Sequence, residues 1–170
     1  MTVEAGYVPG LIGRVVAMHA DYYHQHWGFG SYFEAKVAAG LGEFVGRFDQ
    51  ERDALWSVVQ NGSVEACLAI DGLRAVEQGA HLRWFIVSDT LRGHGMGWLL
   101  LQRAMEFCDR KGYQSLYLWT FAGLDAARHL YEKAGFRLVE ECWGEQWGTK
   151  VMEQRFVRQA GQGLGCLPPV

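Results

Sequence analysis

Apolar residues recur at three- and four-residue steps through "LIGRVVAMHADYYHQHW" (11–27), where Leu11, Val15, Met18 and Tyr22 share one face. That spacing predicts an amphipathic helix. Pro9 and Gly10 mark its entrance and "GFG" at 28–30 breaks the chain after it. Ser31 is placed to cap a second helix reaching to about Phe48, with Phe33, Val37 and Leu41 on one face. The period then changes. "ALWSVVQ" (54–60) and "SVEACLAIDG" (63–72) flank Asn61-Gly62, which predicts a hairpin closed by a type I′ turn. "HLRWFIVS" (81–88) is almost continuously apolar toward its end, the pattern of an interior strand.

A helical stripe of Met96, Leu100, Ala104 and Phe107 follows and stops at Gly112. "SLYLWTF" (115–121) predicts another strand, and "GLDAARHLYEKAG" (123–135) a helix closed by Gly135. "RLVEECWG" and "TKVMEQRFVR" read as strands paired around 144–149. Helices first, then antiparallel strands, then strand–helix–strand–helix and more strands predict a mixed α/β fold around one sheet. The expected organisation is one domain over residues 1–160, with a loose Gly- and Pro-rich tail at 161–170.

Composition narrows the function. A net charge of −3 with no basic block argues against nucleic acid as the main partner. No apolar run approaches the roughly 18 residues that span a bilayer, and "MTVEAGYVPG" lacks the layout of a secretory signal. The expectation is a cytoplasmic protein, off the membrane. Cys67, Cys108, Cys142 and Cys166 lie far apart, with no Cys-x-x-Cys and no paired-histidine spacing, so no metal site is expected and the thiols should be reduced.

Gly93, Gly95 and Gly97 crowd the junction between the interior strand and the next helix, although glycine is a poor helix residue. The opening N–H groups of a helix lack internal partners and carry partial positive charge. A strand that feeds glycines into such a terminus makes an anion site. On spacing alone a plain turn competes with this reading. Two familiar phosphate loops do not fit. There is no Gly-Lys-Ser/Thr, and the third glycine of the dinucleotide fingerprint would fall on Trp98 or Leu100.

Arg92-x-x-Gly95-x-Gly97, following Val87 by five residues, resembles the acyl-CoA pyrophosphate loop of the GNAT superfamily of N-acetyltransferases, and "HLYEKAGF" (129–136) resembles that superfamily's second signature. More narrowly, "AHLRWFIV", "LWTFAGLDAARHLYE" and "GEQWGTKVMEQRF" are similar to the acetyltransferase half of bacterial proteins that fuse a MarR-type regulator to a GNAT domain. The resemblance implies a twisted, mostly antiparallel sheet with one splayed parallel pair, strands 81–88 and 115–121. Acetyl-CoA would be the cosubstrate. Its pantetheine would lie against backbone around Phe85 and Val87, and its pyrophosphate on the N–H groups of Arg92, Gly93, His94, Gly95, Met96 and Gly97.

The implied reaction is direct transfer of an acetyl group to an amine, a small molecule or a protein or peptide amine, and the superfamily's paired dimers leave a homodimer as an open expectation. Tyr131 matches the tyrosine that protonates the departing thiolate, a plausible exchange because a phenol and a thiol titrate within about two units of each other. Two residues compete as base: His81, whose imidazole ordinarily titrates near neutrality, and Glu34, in the segment that walls the acceptor site in this superfamily. Trp119 stands where some members carry a glutamate, and Leu124 where many carry an asparagine. Those two departures keep open an acyl-CoA sensor or interaction module without catalysis. The aromatics and histidines of "DYYHQHWGFGSYF" (21–33) predict an acceptor pocket with an aromatic lining.

Overall fold

The computed structural model describes residues 1–161. Its seven strands form one sheet in the order β1 (Thr2–Ala5), β2 (Ala54–Gln60), β3 (Ser63–Asp71), β4 (Ala80–Val87), β5 (Ser115–Phe121), β7 (Val151–Gln159), β6 (Arg137–Gly144). Every neighbouring pair is antiparallel except β4–β5. The mixed α/β sheet with one parallel pair is therefore the architecture the sequence predicted. The expected tail lies outside the described residues from 162 onward.

Helix α1 (Leu11–Trp27) and α2 (Ser31–Gly46) cover one face of the sheet. Helix α4 (Met96–Lys111) and α5 (Asp125–Lys133) pack on the other. Leu100, Leu101, Ala104, Met105, Phe107 and Cys108 turn the buried stripe of α4 onto the sheet. Burial of each such leucine stabilises the fold by about 1.5–3 kcal/mol. The α1–α2 face is aromatic instead: Phe29, Phe33, Phe44 and Trp84 are buried there, with Tyr23 and Phe121 packed ring against ring.

Most boundaries match the predicted pattern. Asn61 and Gly62 take φ of 52° and 78°, as a type I′ turn requires. Some details differ. Gly30, not Ser31, is the residue before α2, and Ser31 starts the helix without capping it. Strand β1 and the four-residue α3 (Ala75–Gln78) were not anticipated. Both are too short to show a period; β1 exists because the edge of β2 offers it backbone partners.

Candidate active site

The parallel pair is joined only at its start, by Ala80 opposite Leu116 and His81 opposite Tyr117. Beyond that point β4 and β5 diverge. A bulge in β4 accompanies the divergence: between Ile86 and Arg83 it has one more residue than β3 has between Cys67 and Ala69. Trp84 absorbs the extra length at φ 48°, a left-handed conformation rare for a bulky side chain. The wedge opens into a cavity of about 500 Å³, lined by Phe85 and Val87 of β4, Leu118 and Thr120 of β5, and Leu130 and Tyr131 of α5.

The glycine loop closes one end of this cavity. Gly93 and Gly95 have φ of 78° and 77°, and a Cβ on either would meet only open space. Their requirement is therefore the left-handed backbone, which glycine alone adopts without cost. Gly97 differs, since a Cβ there would sit 3.5 Å from Phe85 and Leu130, in the floor of the cavity. The N–H groups of Arg92 and His94 donate to the carbonyls of Ser88 and Leu91. Those of Gly93, Gly95, Met96, Gly97 and Trp98 have no backbone acceptor among the described residues, and no described side chain caps the helix.

The loop thus presents five bare donors at the positive end of a sixteen-residue helix. This narrows the predicted set. Arg92 keeps its place by its side chain, which stacks 4.2 Å over Tyr22 and pairs with Asp89. His94 lies exposed outside the cavity lining, its Nδ1 against the Arg92 carbonyl.

Tyr131 lies where the wedge ends. Its ring packs on Phe85, Phe136 and Phe156 at 5.9–6.2 Å and lines the cavity. Burial, helped by the nearby Tyr23 phenol, raises its pKa above the ordinary value near 10. The hydroxyl is therefore fully protonated near neutral pH.

The family described as Acetyltransferase (GNAT) matches residues 14–136, which include the bulged strand and the glycine loop, and reach through Tyr131. The chain belongs to the GNAT acetyltransferase family. Similar folds occur in a GNAT-family acetyltransferase from Staphylococcus aureus Mu50 (TM-score 0.72, 13% identity, 93% of this chain and 99% of that one). They occur also in ribosomal-protein-alanine N-acetyltransferase from Brucella melitensis (0.72, 14%, 94% and 99%), and in spermidine N-acetyltransferase from Vibrio cholerae (0.63, 15%, 94% and 95%). A mycothiol acetyltransferase from Sanguibacter keddieii is 38% identical over 58 residues, 34% of this chain and only 18% of that protein's length.

The cavity has a second end, lined from α1 and α2 by His19, Tyr23, Phe33 and Lys36. His81 is there, stacked on Tyr117 at 4.4 Å. Burial first, then the Arg83 and Arg155 cations against an opposing pull from Asp71, push its pKa down to about 3. The near-neutral titration expected from sequence does not hold, and His81 is a neutral, weakly basic imidazole. Glu34 does not reach the cavity. It is exposed in the first turn of α2, where its carboxylate faces solvent and complements the helix dipole. Phe33, Lys36 and Val37 are the α2 residues in the wall.

The pattern reading missed His19, Lys36, Arg83 and Gln146, all of which line the cavity. His19 is buried on α1, with Nδ1 2.8 Å from the Val15 carbonyl; desolvation lowers its pKa to about 4. Its four-residue offset from Val15 placed it on the apolar stripe, a signal that was available. Arg83 also had one: a charge inside a strand read as interior.

Among the described residues, no group of three or more His, Cys, Asp or Glu is placed to hold a metal ion. Nor is any helix long and apolar enough to cross a membrane. Cys67 and Cys108 are buried, their thiols pushed up to about 12 chiefly by desolvation, and no cysteine of this region lines the cavity.

Proposed function

We propose that this protein is an acetyl-CoA-dependent N-acetyltransferase that moves an acetyl group to a primary amine by direct attack, with both substrates bound together. The observation that carries the reading is the run of bare N–H groups from Gly95 to Trp98 at the mouth of a cleft that leads, between two splayed strands, to Tyr131. The residues fit the cofactor. A diphosphate needs several converging donors and no side chain in front of them, and the positive-φ glycines supply both. In a strand paired on one side, alternate backbone groups face the other edge. Past His81, the open edge of β4 offers such groups to the amides of a pantetheine chain.

Acetyl-CoA, when bound, supplies the acyl group as a thioester. Gly93, Gly95, Met96 and Gly97 hold its phosphates, and Phe85 and Val87 align the arm. A β4 N–H beyond the bulge stabilises the negative charge that develops on the carbonyl oxygen. Tyr131 gives its proton to the leaving sulfur, and the proton that the amine nitrogen loses as the amide forms passes to solvent, from which the phenol is recharged. The burial that raises the phenol's pKa would also make a bare thiolate costly in the same pocket, so proton transfer accompanies departure. The continuous cavity and the lack of a lining cysteine among the described residues favour direct attack over an acyl-cysteine route.

A non-catalytic acyl-CoA sensor is the second reading, favoured by one observation: no described carboxylate lines the cavity to act as a base. Thiol release from acetyl-CoA across a panel of small amines and peptides separates the two. Turnover with intersecting initial-rate lines is the expected result. Tight CoA binding without thiol release from any amine would favour the sensor, and failure to bind CoA would overturn both.

A further inference from the structure

The charge of the acceptor end carries one more step, which rests on the acetyltransferase reading. The chain as a whole is acidic, with net charge −3, yet Lys36, Arg83 and Arg92 line the cavity and no Asp or Glu does among the described residues. Lys36, exposed at the rim, makes no ion pair among the described residues; its amino group donates to the Gln146 carbonyl and keeps further donors available. Arg83 pairs with Asp71 (3.2 Å), which also takes Arg47 (2.6 Å); Arg47 has Glu43 and Asp53 as further partners. Asp71 stands behind the wall, so the positive side of the pair faces the cavity.

Some of the nearby aromatic rings are already engaged by this charge. Trp84 already carries the Arg83 guanidinium at 4.0 Å, Tyr22 carries Arg92 at 4.2 Å, and Tyr117 carries Arg155 at 4.9 Å. Two rings of the lining, Trp84 and Tyr22, thus already face resident cations, while Tyr117 stands outside it. Trp119, opposite Arg155 in the sheet register, is left as a platform for an apolar body.

We propose that the acceptor is a primary amine that also bears a carboxylate or similar anionic group, bound by Arg83 and Lys36, and not a diamine or polyamine. Arg83 is partly buried and Lys36 is exposed at the rim, so Arg83 makes the stronger of the two charge-assisted contacts. The same positive field favours the neutral form of the amine, which delivers a nucleophile without a carboxylate base. Desolvation leads the downward shift of His81, and Arg83 and Arg155 add to it against an opposing pull from Asp71.

The test uses pairs that differ only by a carboxylate: L-tryptophan against tryptamine, and L-phenylalanine against phenethylamine, with spermidine as the polycation. Thiol release gives kcat/KM for each, and thermal shifts with indole-3-propionate and tryptamine are read on free and CoA-loaded protein. We expect the carboxylate member to win by about tenfold or more, the worth of one charge-assisted hydrogen bond, and indole-3-propionate to stabilise the protein where tryptamine does not. Arg83→Gln together with Lys36→Met should bring the pair ratio toward one through acceptor KM, while Arg83→Lys retains it. A merely structural Arg83 would lower both members of a pair equally.

Preference for tryptamine, phenethylamine or spermidine, or no binding of any carboxylate, overturns the inference. Loss of CoA binding with indole-3-propionate still bound would instead sink the acetyltransferase reading and leave the anion preference standing.

Discussion

The two ends of the cleft are made from different parts of the chain. At the glycine-loop end the donors are main-chain N–H groups from one short segment, 93–98. At the histidine end the lining is side chains from α1, α2, β4, β5 and the 144–149 turn: His19, Lys36, Arg83, Trp119 and Trp147 among them. A backbone site needs only a local conformation, and two glycines at positive φ supply it. A side-chain site needs residues far apart in sequence to arrive together, and here they also bring an electric field.

Tyr131 stands between the two ends, and its loss should give the largest effect. Tyr131→Phe is expected to lower kcat by about 10²-fold or more, the usual worth of a general acid, while CoA binding by calorimetry is unchanged. A variant that keeps its kcat would assign the proton to another group, with Tyr23, the phenol beside it, the first to substitute.

Gly95→Val tests the loop end. A β-branched residue at φ 77° costs about 1–3 kcal/mol, so CoA affinity should fall by about 10- to 100-fold as the N–H groups turn away. The acceptor preference among amines, measured at saturating acetyl-CoA, should not change. If CoA binding is unaffected, the bare donors are not the phosphate site.

His19 probes the other end through pH. Its folded pKa of about 4 lies below the unfolded value near 6.5. Between those values the unfolded chain binds the extra proton, so stability is full above pH 6.5 and falls as the solution is acidified. The loss should reach about 2 kcal/mol by pH 5. His19→Gln should flatten this part of the denaturation profile. His81 acts in the same direction, so the slope should shrink without vanishing. An unchanged slope would mean that His19 is solvated in the folded protein.

The smallest effect is expected from Glu34→Gln. An exposed carboxylate outside the cavity should leave kcat and KM within about twofold of the parent. A large loss of turnover would bring α2's first turn into the chemistry and redraw the acceptor end.

These outcomes follow the division between what could be read along the chain and what could not. The element string was legible because each stripe is periodic and each break has a turn residue: Gly28 after α1, Asn61-Gly62 in the hairpin, Gly112 after α4. The glycine loop and the tyrosine motif were legible for the same reason, since both lie within a few consecutive residues. Even there, the sequence offered six N–H groups from 92 to 97, and only the fold showed that two of them are spent on Ser88 and Leu91 while Trp98 adds another.

By itself the sequence determined a mixed sheet and a helix terminus stripped of side chains, because periodicity and local turn geometry act over short distances; the splayed parallel pair came from the family resemblance. The tertiary structure alone decided which charges share the cavity. Arg83 stacks on Trp84 at the bulge and lines the cavity, Lys36 reaches its rim from an exposed position on α2, and Glu34, two residues earlier, stays outside the lining. Desolvation then moved the two imidazoles far from their solution behaviour. Burial and field are sums over many distant neighbours, and no local pattern contains them.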